Sequence, residues 1–250
     1  MKLAQLNGGP EIFHTIQGEG ASAGCPAVFI RTSRCNLHCI WCDTDHTWNF
    51  EGTPWPHEKD TLAGYSKFKK EDVTHEISPE QAADHILAHD CDRVVITGGE
   101  PLLQEEDVLA LIHAVRAKRP GTLFEIETNG TRRPTDPLAK AIDQFNVSPK
   151  LANSGMAASL RLKPEALSHL ASLPNSWFKF VVTAPRDLEE IEELLGSHAI
   201  SPAKVILMPE GRDSATLDQR ALWLAEICRN KGYRYGERLH VRLWGDKRGV

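Results

Sequence analysis

The stretch Arg34-Cys-Asn-Leu-His-Cys-Ile-Trp-Cys-Asp-Thr44 carries three of the six cysteines in this 250-residue chain, spaced C-x3-C-x2-C. Thiolates this close on one loop repel one another unless a cation lies between them, so the spacing indicates a metal centre. A structural zinc site needs a fourth ligand, and His38 and His46 do not supply the second ligand pair of a zinc finger. An iron–sulfur cluster held by three thiolates is therefore favoured over zinc and over three reduced core cysteines.

Length and composition predict one globular domain. The chain is 41% hydrophobic and 25% charged, and its length suits a single α/β barrel-like domain with a sizeable core. A formal net charge of −5, without any Lys/Arg run, argues against a nucleic-acid partner. No signal region and no membrane-spanning apolar run is present, so we expect a cytoplasmic protein without a membrane partner. Reduced thiols suit that compartment, and Cys25, Cys91 and Cys228 are expected to be packing residues.

Helical and strand patterns alternate along most of the chain. The predicted strands, rich in β-branched and aromatic residues, are Ala27–Thr32, Arg93–Thr97, Thr122–Glu127, Phe145–Val147, Trp177–Val182 and Lys204–Met208. The predicted helices cover residues 78–90, 105–118, 136–143, a segment starting at Pro164, 188–195 and 217–230. This alternation predicts right-handed βαβ units and a parallel sheet of about six strands.

Two segments do not follow the alternation. Residues 47–77 are polar and rich in Pro and Gly, which predicts a long connection with little regular structure that covers the site. The C-terminal segment, residues 231–250, contains Leu239-His-Val-Arg-Leu-Trp-Gly245. His240 in that run fits a half-buried strand position as well as it fits a functional site.

Four predicted strands end in polar or Gly/Pro-rich residues, at the edge where parallel sheets bind ligands. These ends are Thr97-Gly-Gly-Glu-Pro101, Glu127-Thr-Asn-Gly130, Ser148-Pro-Lys150 and Met208-Pro-Glu-Gly211. Four such ends at corresponding positions are hard to explain as turns alone. Further upstream, Gln17-Gly-Glu-Gly20 predicts a tight loop that directs Glu19, and Arg31 ends the strand before the cysteines.

The cysteine spacing, with Trp41 before the last cysteine, resembles the cluster loop of the radical S-adenosylmethionine (SAM) superfamily, and Gly98-Gly-Glu100 resembles its GGE motif. With Gln17–Gly20, Cys42-Asp-Thr44 and the C-terminal run, the chain resembles the 7-carboxy-7-deazaguanine synthases over nearly its whole length. These are radical SAM lyases of queuosine and 7-deazapurine biosynthesis. The resemblance implies one domain over residues 1–250, a partial open (β/α)6 barrel in which residues 231–250 complete the substrate site.

The resemblance also implies an activity. In that family 6-carboxy-5,6,7,8-tetrahydropterin is contracted to 7-carboxy-7-deazaguanine with loss of ammonia. An electron delivered through a [4Fe–4S] cluster cleaves SAM, and the 5′-deoxyadenosyl radical takes a hydrogen atom from C6 of the pterin. The hydrogen later returns, so SAM is used catalytically, and Mg²⁺ assists. An electron donor such as flavodoxin and a homodimer are implied by the same resemblance.

Residue roles carry over wherever this sequence matches the family. The cluster ligands are expected to be Cys35, Cys39 and Cys42, with Thr44 on Mg²⁺. The expected SAM contacts are Trp41, Asp43, Gly99, Ser148, Pro149 and Lys150. The expected pterin contacts are Ile16, Gln17, Gly18, Glu19, Arg31, Thr97, His240 and the carboxylate of Val250. Arg31, Glu19 and His240 are the expected catalytic residues. Arg238 is a departure, because family members often carry Gln there.

Two other functions share part of these features. A glycyl-radical-enzyme activase of the same superfamily has the same cysteine spacing and partial barrel, but it does not need Gln17–Gly20, Thr44 or the His240 segment. A non-catalytic iron–sulfur electron carrier would ligate every iron by cysteine and would not need the polar strand ends. Both are therefore less favoured than the synthase.

Overall fold

The computed structural model describes all residues from Met1 to Val250, and its centre is one sheet of eleven strands. The strands are β1 (Lys2–Leu6), β2 (Gly9–Pro10), β3 (Ile12–Ile16), β4 (Pro26–Thr32), β5 (Thr74–Glu76), β6 (Arg93–Gly98), β7 (Leu123–Thr128), β8 (Gln144–Val147), β9 (Ser176–Val182), β10 (Val205–Pro209) and β11 (Arg234–Tyr235). The helices are α1 (Lys70–Val73), α2 (Pro79–Leu87), α3 (Glu105–Lys118), α4 (Asp136–Ala141), α5 (Ala158–Arg161), α6 (Pro164–Ser172), α7 (Asp187–His198), α8 (Ser214–Lys231) and α9 (Leu239–Trp244). None of these helices has both the length and the apolar composition that crossing a lipid bilayer requires.

The sheet is parallel over most of its width. Its order is β11-β10-β9-β8-β7-β6-β4-β1-β2, with β3 paired to β4 and β5 paired to β1. Every neighbouring pair from β4 to β11 is parallel, whereas the pairs formed by β1, β2, β3 and β5 are antiparallel. The order runs from β11 to β2 without joining its ends, so the sheet does not close. This topology confirms the predicted open (β/α)6 barrel.

The six predicted strands correspond to β4 and β6–β10, and the structure differs from the sequence interpretation in three places. The antiparallel strands β1–β3 were missed, because their short mixed sequences lack a clear pattern of alternation. Residues 47–77 hold more regular structure than predicted, namely a 3₁₀ turn at Glu58–Thr61, helix α1 and strand β5. The strand alternative for His240 is also wrong, because this residue lies in α9, whose first backbone N–H, from Leu239, donates to the carbonyl of Gly18 at 2.9 Å.

The two faces of the parallel sheet differ in chemistry. On β7, Phe124 and Ile126 are buried in the main apolar core, whereas alternation turns Glu125 and Glu127 to the inner face. On β9, Lys179 lies between the core residues Phe178 and Phe180 in sequence and is likewise turned inward. Charged side chains inside a barrel need partners, so the inner face is where ligands and ion pairs are expected.

Residues 47–77 are tied to the cluster loop by a buried carboxylate. Asp45, whose side chain is 2% exposed, accepts a hydrogen bond from the hydroxyl of Tyr65 at 2.7 Å and from the ammonium of Lys59 at 3.2 Å. The imidazole of His57 contacts the carbonyl of Cys42 at 2.9 Å. Trp55 stacks on His38 with ring centroids 3.5 Å apart. The segment therefore packs directly against the three-cysteine loop.

Candidate active site

A cavity of about 230 Å³ opens at the carboxyl ends of the parallel strands. All of the predicted site residues except Pro149 line this cavity: Ile16, Gln17, Gly18, Glu19, Arg31, Cys35, Cys39, Trp41, Cys42, Asp43, Thr44, Thr97, Gly99, Ser148, Lys150, His240 and Val250. The structure thus brings together residues that are spread over most of the chain.

The cysteine loop is pressed against the end of β6. The backbone N–H of Gly99 donates to the carbonyl of Thr32 at 3.0 Å, and that of Glu100 donates to the carbonyl of Arg34 at 2.9 Å. A Cβ atom on Gly99 would lie 1.9 Å from the Arg34 carbonyl oxygen, far inside van der Waals contact. Glycine is therefore required at this position, since only the missing side chain allows the two backbones to approach so closely.

The three cysteines are buried or half-buried thiols. Burial raises the pKa of Cys39 to about 12 and raises the pKa of Cys42, whose thiol also lies beside the Asp43 carboxylate. Sγ of Cys35 accepts from the backbone N–H of Leu37 at 3.4 Å. In this environment the thiolate form needs a nearby positive charge, which an iron–sulfur cluster would supply.

Ser148 and Lys150, which follow β8, lie beside Trp41 of the cysteine loop. The ammonium of Lys150 donates to the hydroxyl of Ser148 at 2.8 Å and lies 5.8 Å from the ring centroid of Trp41. The indole N–H of Trp41 donates to the carbonyl of Asn153 at 2.9 Å, which fixes the ring. An ammonium and a hydroxyl held in this way suit a carboxylate or a ribose.

Glu100 of the Gly98-Gly-Glu100 motif is turned away from the cavity. Its carboxylate is fully buried and accepts from the Thr128 hydroxyl at 2.8 Å, the Asn129 N–H at 2.7 Å and the Leu102 N–H at 3.0 Å. Burial raises its pKa. The carboxylate therefore ties the end of β7 to the end of β6, while the adjacent Gly99 faces the cavity.

The Gln17–Gly20 loop is held by contacts on both sides. The side-chain amide of Gln17 donates to Glu127 at 3.2 Å, and the hydroxyl of Thr97 donates to the other oxygen of Glu127 at 2.7 Å. A Cβ atom on Gly18 would lie 2.2 Å from Nδ1 of His240. This glycine therefore makes room for the His240 ring above the loop.

Glu19 belongs to a chain of four charged groups. One of its oxygens accepts from Nε of Arg238 at 3.0 Å, and the other is bonded to the ammonium of Lys179. Arg238 also donates to the carboxylate of Asp43 and to the carbonyl of Gly211 at 2.6 Å. Burial alone would raise the pKa of Glu19, but Lys179 and Arg238 hold it well below its usual range. The carboxylate is thus ionised and fixed in direction.

Arg31 presents its free edge to the cavity. Nε donates to the carboxylate of Glu11 at 2.9 Å, and the two terminal nitrogens donate to no other residue. The guanidinium side chain is 17% exposed. A planar fork with unused donors is suited to a carboxylate.

Sequence reasoning missed the roles of Glu11, Glu127 and Lys179. Both Glu127 and Lys179 could have been recognised from the sequence, because each alternates with buried apolar residues of its strand, Ile126 for Glu127 and Phe178 and Phe180 for Lys179, and must face the barrel interior. Glu11 carried no such signal, because it lies between two short strands and is recognisable only from its contacts.

Comparison with known proteins gives a consistent result. Residues 29–165 match the radical SAM superfamily. A 7-carboxy-7-deazaguanine synthase of Halobacterium salinarum is 38% identical over 94% of this chain and 90% of its own length. The synthase of the same name from Pyrobaculum aerophilum is 37% identical over 96% of this chain and 95% of its own length. The crystal structure of QueE from Escherichia coli covers 96% of this chain and 95% of its own chain, with a TM-score of 0.65 and 29% identity.

Proposed function

The chain belongs to the 7-carboxy-7-deazaguanine synthase family of the radical SAM superfamily, and on that premise we propose that it converts 6-carboxy-5,6,7,8-tetrahydropterin to 7-carboxy-7-deazaguanine. Ammonia is lost, SAM is used catalytically and Mg²⁺ assists. The observation that carries this proposal is that the three cysteines and Arg31 line the same cavity. The terminal nitrogens of Arg31 donate no hydrogen bond within the protein.

The three thiols of Cys35, Cys39 and Cys42 would hold the [4Fe–4S] cluster, and the free iron would be the site at which SAM binds. With both groups bound, the cluster and SAM supply the 5′-deoxyadenosyl radical that removes a hydrogen atom from the substrate. The protein's own task is to hold the reacting partners and to keep water and other hydrogen donors away. Residues 47–77 pack against the cysteine loop and would provide that cover.

SAM would lie between the cysteine loop and the ends of β6 and β8. Lys150 and Ser148 would bind its carboxylate or ribose, with Pro149 shaping the turn between them. Gly99 would offer backbone groups, and Asp43 would accept from hydroxyl or amino donors. Trp41 would pack beside the ligand.

The pterin would lie between Arg31 and the Gln17–Gly20 loop. The unused guanidinium nitrogens of Arg31 would bind the substrate carboxylate, and the ionised Glu19 would accept from ring N–H donors. Gln17, Thr97 and His240 are held at the same wall of the cavity. The remaining proposed contacts are Ile16, Gly18 and the Val250 carboxylate.

Further parts of the proposal concern the ion and the partners. Thr44, whose hydroxyl lines the cavity and lies 3.5 Å from Sγ of Cys42, would bind Mg²⁺ together with substrate oxygens and water. A low-potential donor such as flavodoxin would supply the electron. We place the reaction in the cytoplasm, carried out by a homodimer, with no nucleic-acid or membrane partner.

The test is anaerobic reconstitution with iron and sulfide, followed by incubation with SAM, a reductant, Mg²⁺ and 6-carboxytetrahydropterin. Mass spectrometry should detect 7-carboxy-7-deazaguanine in large excess over the SAM consumed. Cys39→Ala should abolish the visible absorbance of the cluster and the product. Cys228→Ala, which alters a buried cysteine outside the cavity, should retain both. Cluster formation with 5′-deoxyadenosine but without the deazaguanine would overturn the substrate assignment.

A further inference from the structure

Glu11 is a buried carboxylate that gathers three basic side chains. Its side chain is fully buried. One oxygen accepts from Nε of Arg31 at 2.9 Å, and the other lies 2.5 Å from Nη2 of Arg248 and 3.3 Å from Nε2 of His46. The same Arg248 nitrogen donates to the carbonyl of Gln5 at 3.0 Å. One carboxylate therefore joins the end of β4, the cysteine loop and the C-terminal segment.

Glu11 reaches the cavity only through these partners. Arg31, His46 and Arg248 line the cavity, whereas Glu11 lies behind them and contributes no surface to it. Its backbone is also fixed on both sides, since its N–H donates to the carbonyl of Ala4 at 2.8 Å and its carbonyl accepts from the N–H of Arg31 at 3.1 Å. The carboxylate is thus a rigid support for the cations in front of it.

The charges in this group do not balance. Arg31 and Arg248 carry two positive charges against the one negative charge of Glu11. Asp43 and Glu127 also lie near Arg31, but neither accepts a hydrogen bond from its terminal nitrogens, which stay available to an anionic ligand.

We propose that Glu11 is a positioning residue that orients Arg31 for the carboxylate of the substrate. The inference rests on the proposed function, because it assumes a carboxylated pterin. Holding Nε of Arg31 fixes the plane of the guanidinium and leaves its two terminal nitrogens as a parallel pair of donors. Glu11 touches no substrate itself and acts through Arg31.

The experiment uses the cluster-loaded enzyme with SAM and Mg²⁺, and two fluorescent probes, 6-carboxypterin and pterin, which differ only in the carboxylate. Titration gives the preference for 6-carboxypterin as the ratio of the two dissociation constants. Glu11→Gln should lower this preference about tenfold, as expected when a charge-assisted hydrogen bond to a carboxylate is misaligned. Affinity for pterin should stay within about twofold, because pterin lacks the carboxylate that Arg31 would bind.

Glu125→Gln is the matched control. Glu125 is also fully buried on the inner face, where it contacts Ser22 at 2.6 Å and lies outside the cavity. This variant should keep the wild-type preference even if it is less stable. Arg31→Gln should lower the preference on its own, and adding Glu11→Gln to it should have little further effect, because Glu11 acts through Arg31.

Each outcome separates the inference from the proposed function. A wild-type enzyme with no preference for 6-carboxypterin would overturn the carboxylate role of Arg31 and, with it, the proposed substrate contact. A wild-type preference that survives in Glu11→Gln would overturn the role of Glu11 alone. If Glu11→Gln does not fold, Glu11→Asp, which keeps the charge but withdraws it by one methylene, takes its place. An unchanged preference in Glu11→Asp would equally overturn the inference.

Discussion

Arg238 is a buried guanidinium that joins two carboxylates of the cavity. It contacts Glu19 through Nε at 3.0 Å and Asp43 through Nη2, and a third nitrogen donates to the Gly211 carbonyl. Three different acceptors around one planar cation leave it no alternative orientation. Arg238 therefore fixes both Asp43, a proposed SAM contact, and Glu19, a proposed pterin contact.

Replacing Arg238 by Gln should lower the free energy of unfolding by about 2 kcal/mol, less than for a fully buried pair because the Asp43 side chain is 39% exposed. Arg238 is the main group that holds the pKa of Asp43 below its usual range against the effect of burial, so that pKa should rise in the variant. Denaturant unfolding under anaerobic conditions measures the first effect. Arg242→Gln alters a neighbouring arginine paired with the exposed Asp218 and should change stability little, and an equal loss in both variants would contradict the assignment.

The 47–77 segment illustrates how an irregular element can be held in place. Strand β5 at its end pairs with β1, whereas its contacts with the cysteine loop pass through Asp45, His57 and the stacked pair His38–Trp55. Tyr65 has two roles, since its hydroxyl donates to Asp45 and accepts from the side chain of Asn49 at 2.9 Å. Residues 49–68 are therefore held against the cysteine loop by a few polar and stacking contacts.

Tyr65→Phe removes both of these hydrogen bonds and leaves the carboxylate of Asp45 with one donor fewer. We expect amide hydrogen exchange within residues 49–68 to accelerate about tenfold, as the loss of a buried hydrogen bond to a charged group predicts. Exchange in β6 and β7 should be unchanged. Tyr235→Phe, which removes only a weak 3.4 Å contact with Glu237, is the control. Equal protection of residues 49–68 in both variants would show that Tyr65 does not hold the segment.

The folded protein should lose stability in mild acid because several of its buried or half-buried histidines are neutral in the folded state. Burial lowers the pKa of His38 to about 4 and lowers the pKa of His46 and His240. Between about pH 6.5 and 4 the unfolded chain therefore binds protons that the folded chain does not, and stability falls as the pH falls. Carboxylates whose pKa is lowered by folding also reduce stability as the pH falls, but only below the pKa that they have in the unfolded chain.

The pH dependence can be assigned to one residue by comparing wild type with His38→Gln. Glutamine cannot titrate, so the loss of stability between pH 7 and pH 5 should be smaller in the variant than in the wild type. Denaturation midpoints of the cluster-loaded proteins at the two pH values give the comparison. Identical losses would show that His38 does not contribute.

Much of the fold could be predicted because it depends on local patterns. The parallel strands and their helices follow from runs of apolar residues and from caps such as Ser78, which is hydrogen-bonded to the N–H of Gln81 at 3.2 Å. The positions of the cavity residues also followed, since the carboxyl ends of parallel strands meet at one edge. The short strands β1–β3 could not be predicted, because their pairing is decided by the neighbouring β4 and not by their own sequence.

The ion pairs of the site were beyond sequence reasoning. Lys179 and Glu19 are 160 positions apart, and Glu11 and Arg248 are 237 apart. No local propensity reports which charge meets which across such separations. Motifs could name Glu19 and Arg31 as functional candidates, but only the folded chain shows which groups hold them in place.

The close approach at Gly99 also restricts how this sequence can change over time. Every single-base change in a glycine codon that alters the amino acid introduces a side chain or a stop. Any side chain would place a Cβ atom where the Arg34 carbonyl oxygen already lies. Only the silent third base of the codon can change, so no amino-acid substitution is tolerated here, and the spacing between the cysteine loop and β6 cannot drift in small steps.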